Sequence, residues 1–273
     1  MMLPTNPSRA LGWVQMLAAA GAVLTSAELL FLRGQFAEAE ILGWPQMGRL
    51  VDRRRFPWAG LWMNRAMRSR GFMALAALRL GAALLLLWPG PAVTGAAQLG
   101  LLAAVLISSL LCIQRLPYGM EGSDQLAAIT FAGLLLARLF AHSDRVAVAV
   151  LWFLAMQAAL AYLVAGVVKV REPGWRDGSL LQAVLATEFY GHPAFAGLLH
   201  RRLCARAAIW GVIVFELSFP LVFFLPPPGV LAMLAAGFLF HAVLAAAMGL
   251  NAFVWAFLAA YPAIYCCASM VRL

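Results

Sequence analysis

Residues 146–170 read VAVAVLWFLAMQAALAYLVAGVVKV, with one charge, Lys169, close to the end of the run. A helix needs about 20 consecutive apolar residues to cross the hydrocarbon core of a bilayer, and this stretch is long enough. Backbone N–H and C=O groups in hydrocarbon must pair within their own segment, so the run reads as a transmembrane helix.

Working outward, similar runs recur at residues 11–32, 71–88, 92–113, 125–141, 207–225, 230–248 and 252–271. With 64% hydrophobic residues, 11% charged residues and a mean hydropathy of +0.87, the chain is far more apolar than a soluble domain. Turn chemistry at WPGP (88–91), PYGMEG (117–122) and LPPPG (225–229) separates the runs. No alternating barrel pattern is present. The expected fold is all-α: one polytopic transmembrane helical bundle of about eight spans over residues 1–273, with interfacial helices in the loops. The opening run follows a basic residue as a signal peptide does, but it is too long for a signal core and contains Glu28, so it reads as the first span.

The loop at 33–70 holds eight arginines, whereas WPGP and LPPPG hold none. The positive-inside rule puts that loop and the one at 171–206 on the cytoplasmic side and both termini outside. Trp44, Trp58 and Trp62 interleave with the arginines, a composition suited to a short helix at headgroup level. A second interfacial or re-entrant helix is expected at about 179–189. The net charge of +9 could point to nucleic acid, but the arginines sit in short loops, where basic residues set topology. Cys112, Cys204, Cys266 and Cys267 form no C-x-x-C pair and no zinc spacing, so neither a disulfide framework nor a metal site is expected. Walker, G-x-S-x-G, H-E-x-x-H and G-x-G-x-x-G motifs are absent.

Ionisable groups inside spans cost about 3 kcal/mol each on insertion scales and tend to face the protein interior. They are Glu28, Arg79, Asp124, Arg138, Lys169, Glu216 and His241. Of the twenty basic residues nineteen are arginine, and Lys169 is the single lysine. A guanidinium stays protonated, whereas an ammonium held between helices can give up its proton, which is what base chemistry needs. The plainer reading of Lys169 is a helix-end side chain snorkelling to the interface. His241 is either a proton donor and acceptor in mid-span or a histidine bonded to a neighbouring helix. Glu216, one turn before Pro220, either pairs with an arginine such as Arg138 or lines a polar cavity. Asp124 with Ser123 reads as an N-terminal cap, and Glu28, Arg79 and Arg138 as interhelical ion pairs. His192 and His200 read as interfacial loop residues.

Three stretches in this order, AYLVAGVVKVREPGWRDGSLLQAVL (161–185), FELSFPLVFFLP (215–226) and FHAVLAAAMGLNAFVWAFLAAYP (240–262), resemble the HTTM (horizontally transferred transmembrane) family. That family shares its membrane domain with the vitamin K-dependent gamma-carboxylases. The resemblance extends over essentially the whole chain, and the Tyr162 to Lys169 run followed by Trp175-x-x-Gly178 is its most specific part. It implies a carboxylase-like lyase or oxidoreductase in which Lys169 is the base that deprotonates a reduced, vitamin K-like quinone, with His241 at a second catalytic position. Glu216, Asp124, Trp175, Arg176 and Tyr162 are then the residues expected to contact substrate or cofactor. The expected setting is a multi-pass protein of a cell membrane, the bacterial inner membrane, with lipid and a small peptide substrate as partners.

Two departures qualify this. In EGSDQL, Asp124 stands where the carboxylases carry a histidine. The carboxylases also continue into a large soluble region, whereas this sequence ends at Leu273, so carboxylation of a glutamyl protein is not expected. The inferred orientation conflicts with the outward-opening site of the carboxylases. The rival expectation is a non-catalytic membrane protein that assists peptide maturation, export or small-solute transport, with the buried charges holding helices in register.

Overall fold

A computed structural model describes residues 5–49, 65–87, 95–116, 122–188 and 190–272. The chain is an all-α polytopic helical protein, and no strand occurs among the described residues. Its long helices are α1 (Pro7–Phe31), α2 (Ser69–Leu87), α3 (Ala96–Arg115), α4 (Gly122–Leu139), α5 (Asp144–Arg171), α6 (Arg202–Ser218), α7 (Pro227–Met248) and α8 (Asn251–Met270). Seven are long and apolar enough to cross a membrane, α6 counting together with the 3-10 turn Phe219–Phe224 that extends it. The exception is α4, whose first turn carries Ser123, Asp124 and Gln125. Both Ser123 and Asp124 lie inside that turn, where the helix dipole favours a carboxylate.

Boundaries follow local chemistry. The Asn6 side chain accepts from the backbone N–H of Ser8 at 3.0 Å and of Arg9 at 3.3 Å, capping α1. Pro220 cannot supply an amide to the helix, and the chain tightens there into the turn Phe219–Phe224. Gly249, at φ +71°, ends α7 in the left-handed conformation that glycine adopts without strain. This separates α7 from α8, as the sequence predicts.

Two compact units are present: Gly12–Val146, and Met1–Leu11 with Ala147–Leu273. In the first, Gln98 donates to Gln15 at 2.6 Å, and Arg79 donates to Thr25, a hydroxyl, and to no carboxylate among the described residues. The same unit buries Arg115 completely. Its Nε donates to the Met67 carbonyl at 3.0 Å and its Nη2 to the Leu42 carbonyl, while Phe36, Trp44 and Phe72 lie 5.2–5.8 Å from the guanidinium carbon.

Trp44 sits in a short helix, Trp44–Met47, in the loop where one is expected, and is buried against Arg115, whose guanidinium draws aromatic faces to itself. Trp58, Trp62 and the DRRRF stretch lie outside the described residues.

In the second unit α8 is the most enclosed span, 61% buried over its apolar window. Ala259, Ala260, Ala263, Cys266, Cys267 and Ala268 line it, small side chains that let neighbouring helices approach closely. Between α5 and α6 the chain forms three short helices, Pro173–Arg176, Ser179–Leu185 and Pro193–Leu198. The second meets the expectation of a helix near 179–189, although it ends four residues earlier, and Phe189 lies outside the described residues.

Candidate functional site

Tyr162, Gly166 and Lys169 stand at positions i, i+4 and i+7 of α5 and share one face of that helix. Gly166 is what allows another helix to reach this face. A Cβ built on it would lie 3.0 Å from the Leu217 side chain and 3.1 Å from Glu216 Cβ, closer than side chains ordinarily pack. With glycine there, α6 comes near enough for Lys169 Nζ to donate to both carboxylate oxygens of Glu216, at 2.8 and 2.9 Å.

Glu216 is nearly sealed, with 3% of its side chain exposed, whereas Lys169 keeps 21%. The pair is therefore open on the lysine side. Within this unit the cation on Glu216 is Lys169, where the sequence suggested an arginine. Among the described residues the other ion pair, Arg68 with Glu38, is long at 3.6 Å and exposed.

The chain leaves α5 at Arg171 and immediately turns Trp175 back, placing its ring 5.9 Å from Lys169 Nζ. The backbone carbonyl of Arg176 accepts from Trp210 of α6 at 3.1 Å, and the Arg176 side chain is exposed. Gly178 completes the turn at φ +83°, where a Cβ would collide with the backbone of Arg206 at 2.8 Å. The tryptophan and glycine of Trp175-x-x-Gly178 thus fold the loop over the ion pair. Asp177, fully exposed, accepts from the Ser179 backbone N–H at 2.9 Å, and this hydrogen bond, followed by one from the Ser179 hydroxyl, holds its carboxyl below the usual aspartate range.

Deeper in the same unit, the Tyr162 hydroxyl lies 2.7 Å from His241 Nε2 and 3.2 Å from the Tyr261 hydroxyl. His241 is 3% exposed, and its Nδ1 has no hydrogen-bond partner among the described residues. Gly237, one turn before His241, makes room for the phenols: a Cβ on it would stand 2.4 Å from the Tyr261 oxygen and 3.1 Å from that of Tyr162. Aromatic rings enclose the chain, Phe219 stacked on Tyr162 at 3.9 Å and Phe257 on His241 at 4.2 Å.

The same unit holds an apolar pocket of about 280 Å³, walled by Trp152, Ala159 and Leu163 of α5 and by Pro220 and Phe223 of the 3-10 turn. Its rim residues Met156, Leu160 and Phe224 are exposed.

The structure thus brings together Tyr162 with His241, and Lys169 with Glu216 and Trp175. Asp124 lies in the Gly12–Val146 unit. His192 and His200 serve loop geometry: His192 Nδ1 accepts from the Ala194 amide at 3.3 Å, and His200 Nδ1 lies 2.7 Å from the Gly197 carbonyl. Sequence reasoning missed Tyr261 and Gly237. The available signals were a glycine one turn ahead of a buried histidine and a tyrosine next to the helical Pro262. No three His, Cys, Asp or Glu side chains among the described residues are grouped so as to hold a metal ion. Comparisons with family models, with curated proteins and with solved structures find no match to this chain.

Proposed function

We propose that the chain is a membrane-embedded enzyme of the HTTM class, a carboxylase-like lyase or oxidoreductase acting on a lipid-soluble, quinol-like substrate, in service of modifying a small peptide. The observation that carries this is the Lys169–Glu216 pair: the only lysine of the chain, bound through both of its short contacts to a buried carboxylate at a helix contact opened by glycine.

In water an ion pair of this kind is simply charged. Glu216 is desolvated and Lys169 partly so, and passing a proton from Nζ to the carboxylate removes both charges at once, which offsets the cost of burying them. In this mechanism Glu216 receives the proton and the Lys169 amine acts as the base, with the Trp175 ring 5.9 Å away.

Two separate features of this unit suit a quinol: an apolar pocket able to take hydrocarbon, and a buried histidine nitrogen with no partner among the described residues. A bound quinol supplies an acidic phenolic hydroxyl and two reducing electrons. Lys169 would take the proton of that hydroxyl, and the unpartnered Nδ1 of His241, whose ring Tyr162 holds, would meet a ring oxygen.

The test is Lys169→Arg, which keeps a cation opposite Glu216 and removes the base. Oxygen-dependent oxidation of a reduced naphthoquinone is followed by absorbance in proteoliposomes. The expected result is loss of at least about 100-fold in rate, the usual contribution of a positioned base; an unchanged rate rejects the mechanism.

A second reading is favoured by the closure of the pair, since both carboxylate contacts are already used by Lys169. In it the ion pair pins α5 to α6 in a non-catalytic protein that assists peptide maturation, export or small-solute transport. Lys169→Arg then behaves as wild type in every functional assay.

A further inference from the structure

The apolar pocket of the second unit is a groove along a helix. Trp152, Met156, Ala159, Leu160 and Leu163 line it from α5, at positions i, i+4, i+7, i+8 and i+11, which fall in one stripe of the helix surface. At 1.5 Å per residue that stripe is about 16 Å long, close to the hydrocarbon thickness of a single leaflet, about 15 Å. The opposite wall is the 3-10 turn at the end of the next span.

The groove has an outer and an inner end. The two spans run antiparallel, since Trp152 packs on Phe223 at 5.6 Å while Gly166, further along α5, meets Glu216. Trp152 stands near the start of α5 at Asp144, about 12 Å along the helix axis, and the groove deepens from there toward Leu163. Every residue lining it is aliphatic or aromatic, and Met156, Leu160 and Phe224 on its rim are exposed where the surrounding solvent is lipid. A chain can therefore enter sideways from the bilayer.

A charge stands at the outer end. Val271 lines the groove just past α8, and the next residue, Arg272, is exposed and donates through Nη1 to the Leu225 carbonyl, one residue beyond Phe224 of the groove wall. That contact uses one nitrogen of a planar fork whose other N–H groups match a phosphate.

We propose that this groove holds one acyl chain of an anionic glycerophospholipid of the surrounding bilayer, with the lipid phosphate on Arg272. Hydrocarbon alone does not single out the occupant, because the tail of a quinol suits the same walls. The cation at the mouth does: in a phospholipid the phosphate stands where the chains begin, whereas a quinol brings no anion to that level. The lipid braces α5 against the turn that follows Glu216. The reaction proposed above is carried by Lys169 and Glu216, neither of which lines the groove, so the two proposals fail separately.

The experiment is native mass spectrometry of the full chain released from detergent micelles, with phosphatidylglycerol or phosphatidylcholine of identical chains added. The wild type should retain phosphatidylglycerol about fivefold better, the contribution of one basic residue near an anionic headgroup. Arg272→Gln should remove that preference, and Arg201→Gln, an exposed arginine ahead of α6, should leave it intact. Leu160→Trp, on the exposed rim, should lower retention of both lipids by narrowing the groove, with the thermal midpoint of the lipid-free protein unchanged as the check on folding. Equal retention of the two lipids by the wild type, a preference that survives Arg272→Gln, or one lost equally in Arg201→Gln overturns the phosphate site. Undiminished retention in Leu160→Trp overturns the groove as the seat of the chain. Lys169→Arg should leave all of these signals as in the wild type, and a preference lost in that variant also overturns the site at Arg272.

Discussion

Gly166 and Glu216 face each other across the contact between α5 and α6, with the position of a Gly166 Cβ only 3.1 Å from that of Glu216. The absence of a side chain one turn before Lys169 is thus what lets the carboxylate reach the ammonium.

Gly166→Leu should therefore separate the two helices. Overpacking a tight contact costs about 1–3 kcal/mol, and here the ion pair is strained as well. The expected outcome is a lower midpoint for detergent-phase thermal unfolding; a midpoint equal to that of the wild type would show that the contact is looser than described.

Glu216→Gln leaves Lys169 beside an uncharged amide. Breaking a fully buried pair costs about 3–5 kcal/mol, and because Lys169 keeps 21% exposure its stem lets it turn outward, so the loss should fall below that range. The double variant Lys169→Met/Glu216→Leu should recover most of the stability while abolishing quinol oxidation. Denaturant titration of both variants in mixed micelles checks this.

Gly237→Ala places a methyl group where the Tyr261 hydroxyl stands, at 2.4 Å. The substitution should destabilise the wild type, and Tyr261→Phe should relieve part of the damage by removing the crowded oxygen. A double-mutant cycle of unfolding free energies should show coupling above about 0.5 kcal/mol; strict additivity would contradict the geometry.

How much of this was legible in the sequence follows from the range of the forces involved. The spans are visible because burial in hydrocarbon imposes a continuous apolar run, which any window along the chain detects; α4 was marginal because its first turn is polar. The exceptional lysine was visible by contrast with nineteen arginines. Its partner was not, since Glu216 lies 47 residues away and on charge alone could equally have paired with an arginine such as Arg138. The partner of Trp44 was hidden for the same reason: its neighbours in sequence are arginines of the loop, whereas the arginine beside it is Arg115, on another helix. The phenol–phenol–imidazole line depends on three helices meeting, which no local pattern encodes.

Arg115→Lys tests that buried cation. A lysine cannot reproduce the fork that reaches the Met67 and Leu42 carbonyls or the broad stacking on aromatic faces. The substitution should cost about 2–4 kcal/mol, in the range of buried polar losses, and should loosen the segment around Trp44. Limited proteolysis should then cut near residues 33–49 sooner than in the wild type; an unchanged cleavage pattern would contradict the anchoring role.

Asp177 gives a pH dependence whose sign is fixed. Its folded-state carboxyl is held below the ordinary value of about 3.9, so the stabilisation it gives is present above that value and is lost as the pH falls through the lowered one. Amide protection over Ser179–Leu185, taken relative to the intrinsic exchange rate at each pH, should fall on acidification below about pH 4, and Asp177→Asn should flatten the response. Loss of protection near neutral pH instead would exclude Asp177 as its source.

The most direct measurement uses the fact that the chain has one lysine, so that protein labelled with nitrogen isotope in lysine gives a single side-chain ammonium signal in nanodiscs. If Lys169 is held against Glu216 and reachable by a quinol, its Nζ hydrogens exchange slowly with water, the signal moves in Glu216→Gln, and it moves again when reduced naphthoquinone is added. A signal in fast exchange with water, identical in Glu216→Gln and indifferent to the quinol, would contradict both the pair and the site built on it.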